Sequence, residues 1–224
     1  MTAWDLASQS SKRIQSQFNV VVARTVMELN DTACMELEDI TPNKQQIVCS
    51  RSFSRRLTTY SELSQALSEL CSHAAEKLRR QQSVTGYVSV FIRTSPFNPQ
   101  EPHYQRSATI KLASASQDTR TLITTANRLL AEIFRLGYNY QKCGVQFSHI
   151  QPATTFGQLD LFDFADDSLP TENRPLMAKM DQINKRFPKM LSLADTGVDK
   201  SWRPKTERIS QCYTTDWKEL AIVK

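Results

Sequence analysis

The side chains best suited to metal or thiol chemistry are five scattered cysteines (Cys34, Cys49, Cys71, Cys143, Cys212) and three histidines far from one another in the chain (His73, His103, His149). No C-x-x-C occurs and no histidine follows a cysteine at finger-like spacing, so a locally encoded zinc site is excluded and a disulfide framework is disfavoured. The cysteines read as small apolar side chains. Five glycines (Gly86, Gly137, Gly144, Gly157, Gly197) fit neither G-x-G-x-x-G nor G-x-x-x-x-G-K, which argues against nucleotide binding through a glycine-rich turn. Adjacent acids occur only at Glu38-Asp39 and Asp166-Asp167, both in linker-like sequence, where they read as solvated charges.

Cations carry the stronger signal. The 224 residues have a net charge of +5, and all of that excess lies in residues 1–156, with 17 Lys and Arg against 12 Asp and Glu. Lys44, Arg51, Arg55 and Arg56 fall between Asp39 and Glu62 without an intervening acid; Lys77, Arg79, Arg80 and Arg93 do the same between Glu76 and Glu101. Such clusters fit a polyanion partner, although a solvated face has the same composition. A second kind of signal lies at Gln158-Leu159-Asp160-Leu161-Phe162 with Phe164, set among Asp160, Asp163, Asp166, Asp167 and Glu172. Apolar side chains in an acidic linker bury little within their own segment and suit anchors for a partner's pocket. No apolar run exceeds four residues and no basic-then-apolar leader opens the chain. A cytoplasmic address without a membrane span is the expectation.

These residues must be positioned by an α+β fold. Residues 36–150 read as β-α-β-β-α-β. Ile47–Phe53 is a strand, and Thr59 with Glu62 forms a capping box ahead of Leu63, Leu67, Leu70, Ala74 and Leu78 on one helical face. Tyr87–Thr94 alternates, with Val88, Val90 and Ile92 opposed to Tyr87, Ser89, Phe91 and Arg93; Ser107–Leu112 opposes Ala108, Ile110 and Leu112 to Ser107, Thr109 and Lys111. Asp118 caps a helix with Leu122, Ala126, Leu129 and Ile133 inward and Gly137 at its end, and Val145 and Phe147 lie on a last strand. Two helices on one face of a four-stranded sheet leave Ser89, Arg93, Thr109 and Lys111, with Tyr87 and Phe91, on the other. The RRM shares this element order but needs stacking aromatics and a glycine on its third strand, which are absent here. Residues 1–33 read as two short helices, the first without a start signal and the second, Val20–Leu29, capped by Asn19. Residues 151–173 form the acidic linker. Residues 174–224 form a small module with one helix, apolar at Leu176, Met180, Ile183 and Phe187, and with exposed-looking Trp202, Tyr213 and Trp217.

In combination these segments resemble the C-terminal portion of UmuC-type Y-family DNA polymerases, the translesion enzymes of the bacterial SOS response. Phe18-Asn19-Val20-Val21 through Arg24-Thr25-Val26 and Glu28-Leu29 is similar to the end of their thumb. Cys49-Ser50-Arg51-Ser52-Phe53, Ala74-Ala75-Glu76-Lys77-Leu78-Arg79 and Thr94-Ser95-Pro96-Phe97 resemble their little-finger domain. Gln158 to Phe162 matches the Q-L-[SD]-L-F sliding-clamp peptide. Arg174-Pro175-Leu176-Met177 to Asp181, with Tyr213-Thr214-Thr215-Asp216-Trp217, resembles the family's C-terminal module, which departs from the usual pattern at Phe187-Pro188-Lys189.

The resemblance implies primer-template DNA as partner, held by Lys44, Arg51, Arg55, Arg56, Arg93 and Lys111. It implies a bacterial sliding clamp bound through Gln158, Leu159, Leu161 and Phe162, and UmuD-type or RecA-type proteins as further partners. The family's two Mg²⁺ ions are held by palm carboxylates, including a Ser-Ile-Asp-Glu motif that this sequence lacks. The chain is therefore expected to carry no catalytic or metal-ligating residue and no cofactor, and to begin within the thumb. The same features also fit a stand-alone DNA- and clamp-binding protein, or a truncated relic.

Overall fold

Strand β1 (Ile47–Leu57) and helix α4 (Tyr60–Arg80) open the larger of two compact units, Lys44–Lys224, in a computed structural model that describes residues 2–34, 43–153, 173–188, 190–204, 210–213 and 215–220. Strands β2 (Ser83–Thr94) and β3 (Gln105–Ser116), helix α5 (Thr119–Ile133) and strand β4 (Tyr140–Pro152) complete the β-α-β-β-α-β pattern. The sheet order is β1-β4-β2-β3 and every pair is antiparallel. Each helical crossover therefore skips one strand: α4 carries the chain past β4, and α5 carries it past β2.

Alternation decides which face is covered. Val88, Val90 and Ile92 of β2 and Val145 and Phe147 of β4 are fully buried, together with Leu63, Leu67, Ala74 and Leu78 of α4 and Leu122, Ala126 and Leu129 of α5. The α4 capping box forms as expected, with Thr59 Oγ1 accepting from Glu62 N at 3.4 Å while the Glu62 carboxylate accepts from Thr59 N. Helix α5 ends at Ile133, earlier than the expected stop at Gly137. Phe134 is already extended, and Gly137 instead supplies a left-handed turn (φ 91°) leading to β4. Cys49, Cys71 and Cys143 are buried and all five cysteines are free; burial pushes Cys71 up and Cys143 up to about 12.

Among its described residues the unit Met1–Asn43 contains three helices, not two: α1 (Ala3–Ala7), α2 (Ser11–Gln17) and α3 (Val20–Leu29). The start signal missed in the sequence is Thr2, which forms a capping box with Asp5 (Thr2 N to Asp5 Oδ2, 2.7 Å). Asn19 caps α3 as expected, accepting from Val22 N at 3.0 Å. Among the described residues only Ile14, Ala23 and Val26 are buried there, a small core for a unit of this length.

The C-terminal residues pack against the helical layer and the outer strand. Helix α6 (Arg174–Arg186) is capped by Asn173, and the expected apolar stripe is not its buried side: Leu176, Ile183 and Phe187 are exposed, whereas Met177 is buried. Polar contacts set this rotation. Arg79 of α4 grips Asp181 bidentately (2.6 and 2.7 Å), and Asp118 accepts from Asn173 N at 3.0 Å. Trp202 is also not exposed. It is 3% accessible, stands edge-on to Phe53 at 5.8 Å, and accepts from Ser54 N through its carbonyl at 3.0 Å. Beside it, Glu69 of α4 receives Lys200 Nζ at 2.9 Å, Arg203, and His73 Nε2 at 3.7 Å. Burial alone would raise the Glu69 carboxyl, but hydrogen bonds from His73, Lys200 and Arg203 outweigh it and hold the group at about 2.

Two outcomes are expected. Trp202→Ala should cost about 3 kcal/mol in urea unfolding, as large-to-small core changes do. Trp202→Phe should cost clearly less, because the indole N–H has no hydrogen-bond partner to lose. The second concerns Glu69, whose folded-state value lies below that of an unfolded carboxyl, so its stabilisation is complete above roughly pH 4.3 and is lost as pH falls toward 2. The stability gap between wild type and Glu69→Gln should therefore close across that window when urea midpoints are compared.

Candidate nucleic-acid interface

The four strands contain no Asp or Glu, while they carry Arg51, Arg55, Arg56, Arg93, Arg106, Lys111 and Lys142. Register sorts these cations between the two faces. Tyr87 of β2 lies opposite Lys111 and Ser148; Ser89 opposite Thr109 and Gln146; Phe91 opposite Ser107 and Gly144; Arg93 opposite Gln105 and Lys142. Val48, Ser50 and Ser52 extend the same face onto β1 through their pairing with Gln146, Gly144 and Lys142. Directly paired residues share a face, so this side of the sheet presents three cations, small hydroxyl side chains and two aromatics.

Relief on this face is low. An added Cβ at Gly144 would lie 2.3 Å from a Phe91 ring carbon and 2.6 Å from Ser50 Cβ, so only glycine lets the Phe91 ring settle across β4. Thr109 Oγ1 donates to Ser89 Oγ at 2.8 Å, fixing two hydroxyls side by side. Among the described residues none of Arg93, Lys111 and Lys142 has a carboxylate partner, and Arg93 Nε is buried without any hydrogen-bond acceptor. Unneutralised cations above small polar side chains suit phosphate oxygens, which need close approach and N–H or O–H donors.

The six expected DNA-binding residues are not brought together. Arg93 and Lys111 lie on the open face. Arg51 pairs with Cys143 and belongs to the helix-facing side of β1, in a cleft of about 530 Å³ with His73, Lys77, Arg80, Arg203 and the carboxylates Glu69 and Glu76. Arg55 is taken up by Glu62 at 2.6 Å and by Ser201 Oγ at 3.2 Å, and Arg56 lies 3.8 Å from Glu101. Lys44 exchanges backbone hydrogen bonds with the Gln81 side chain beyond α4. The cation missed in the sequence is Lys142. Its signal was present: Lys142, Gly144, Gln146 and Ser148 alternate with Cys143, Val145 and Phe147 once β4 is begun at Tyr140.

Gln158, Leu159, Leu161 and Phe162 lie outside the described residues, as do Glu38-Asp39 and Asp166-Asp167. Among the described residues no group of three or more His, Cys, Asp or Glu is placed to hold a metal ion. None of the described helices is long and apolar enough to cross a membrane.

Comparison with known proteins agrees with this architecture. Residues 44–161 match the model of the impB/mucB/samB family C-terminal domain, and residues 174–223 match a domain of unknown function, DUF4113. Protein UmuC of Salmonella typhimurium strain LT2 is 41% identical over 224 residues, covering 100% of this chain and 52% of its own length. Protein MucB of Salmonella typhimurium is 42% identical over 221 residues (99% of this chain, 52% of its own length), and protein MucB of Escherichia coli is also 42% identical over 221 residues (99% and 51%). The chain thus spans about half the length of these relatives. It belongs to the impB/mucB/samB family, of which it is the C-terminal part.

Proposed function

We propose that this chain is the DNA-gripping and sliding-clamp-docking portion of an SOS-response translesion DNA polymerase. The observation that carries the reading is the acid-free sheet, whose open face presents Arg93, Lys111 and Lys142 without carboxylate partners. Such a face holds duplex DNA through its phosphates, with little regard for sequence, because nothing on it is arranged to read base edges. The helical side cannot serve equally well: Arg55, Arg79, Arg80, Lys200 and Arg203 already face carboxylates.

Clamp docking rests on the sequence Gln158-Leu159-Asp160-Leu161-Phe162. An extended peptide would seat Leu161 and Phe162 in an apolar pocket while the Gln158 amide hydrogen-bonds nearby, giving a weak and exchangeable contact. A C-terminal contact with UmuD-type or RecA-type proteins belongs to the same proposal. It now rests on Tyr213 and Trp217, which are exposed, and no longer on Trp202. The proposal assigns binding to these residues and no bond-making step.

Fluorescence anisotropy with primer-template DNA tests the first part. The double variant Arg93→Ala/Lys142→Ala is expected to weaken binding alike on unrelated sequences and to reduce the slope of log K against log salt by about 2. Lys44→Ala and Arg56→Ala should leave that slope unchanged. Equal salt slopes for wild type and the double variant would remove the sheet from the interface. Titration with a bacterial sliding clamp tests the second part. Leu161→Ala/Phe162→Ala should lose about a hundredfold or more in affinity, since each anchor buries roughly 1.5–3 kcal/mol of apolar contact, while Asp160→Ser should be close to neutral. Unchanged affinity of the double variant would end the docking assignment.

A further inference from the structure

The open face ends in an irregular corner that phosphate binding does not account for. Between Thr85 and Tyr87 the pairing of β2 with β3 jumps from Ser116 to Lys111. On the other side of β2, His149 takes φ 53°, the left-handed region that side-chain-bearing residues avoid. The distortion is held deliberately in place: the Thr85 hydroxyl donates toward the carbonyl oxygens of Tyr87 (2.9 Å) and Ser148 (2.8 Å). Gly86 makes room for it, since an added Cβ there would lie 3.0 Å from His149 Nδ1. The result is an exposed imidazole standing edge-to-face against the half-buried Tyr87 ring, with centroids 5.8 Å apart and planes at 71°. Lys111 lies directly opposite Tyr87 on β3. Neither aromatic belongs to the buried core, and beyond Tyr87 the imidazole meets Gln151, whose Nε2 lies 3.2 Å from His149 Nδ1, so the arrangement is not set by core packing.

We infer that Tyr87 and His149 form a stacking seat for an unpaired nucleotide, placed where the cationic sheet face ends, a base-contacting site beside the phosphate-contacting one. The inference rests on the proposed phosphate-binding role of the same sheet. Charge complementarity and continuity with that face point to DNA as the occupant, with Lys111 available to the flanking phosphate. Bases within a duplex have their faces covered by their neighbours, so only an unpaired base can use the seat; base-aromatic stacking is indifferent to sequence, as is the rest of the face. The aromatics stand on β2 and β4, the two inner strands of the sheet.

The test measures the full chain by anisotropy against two labelled DNAs, a blunt duplex and the same duplex carrying an unpaired extension. Wild type is expected to prefer the extended DNA. Tyr87→Leu and His149→Asn should each reduce that preference by roughly fivefold while leaving blunt-duplex affinity unchanged. Asparagine is chosen because it tolerates the left-handed backbone at position 149. Tyr87→Phe should restore the preference, and equal melting temperatures would show that the variants fold. If the affinity ratio of wild type persists in Tyr87→Leu and His149→Asn while duplex binding is intact, the seat is refuted and the phosphate-binding face stands. If wild type binds neither DNA, the face and the seat both fall.

Discussion

Everything on the open face depends on the period-two constraint of β2. Burying Val88, Val90 and Ile92 under α4 and α5 forces Tyr87, Ser89, Phe91 and Arg93 outward, and antiparallel pairing then brings Lys111 and Lys142 onto the same side. A slip of one residue would drive Arg93 into the apolar layer and lift three aliphatic side chains into water. The open face is thus specified by the same burial that stabilises the domain. Its three cations need no supporting ion pairs to hold their places.

What was legible in the sequence was whatever a local period or a short-range cap encodes. The inward stripes of α4 and α5, the alternation of β2 and β3, and the caps at Thr59, Asn19 and Asp118 all follow from neighbours within a few residues. What was not legible depends on partners distant in the chain. Alternation with Ile47, Cys49 and Phe53 already places Arg51 on the helix-facing side; what no neighbour records is the cleft it shares there with Glu69 and Arg203. Trp202 is buried because Phe53, about 150 residues earlier, offers a ring edge and Ser54 an amide. The left-handed backbone at His149 has only a weak local signal: histidine enters that region more often than most residues, but here it does so inside a strand.

Helix α6 shows two local signals in competition. Its apolar residues predict burial of Leu176, Ile183 and Phe187, yet the face turned to α4 carries Asp181, gripped by Arg79, and Met177. A bidentate guanidinium-carboxylate pair has one acceptable geometry, whereas apolar contact has many, so the ion pair fixes rotation about the helix axis. Glu69 fixes the following segment in the same way, through Lys200 and Arg203. The residues matched as a domain of unknown function are therefore held onto the β-α-β-β-α-β domain by charge placed on α4, while aliphatic side chains of α6 remain in solvent.

Strand β1 is an outer strand, and the outer strand of any open sheet is a template on which a stray chain can add itself. In this protein the Trp202 carbonyl occupies the amide of Ser54, blocking one end of that template with the chain's own backbone. Of the arginines along the same strand, Arg55 and Arg56 already face Glu62 and Glu101, so the edge is covered by backbone rather than guarded by free charge. The C-terminal segment thereby occupies part of an edge that would otherwise invite strand addition.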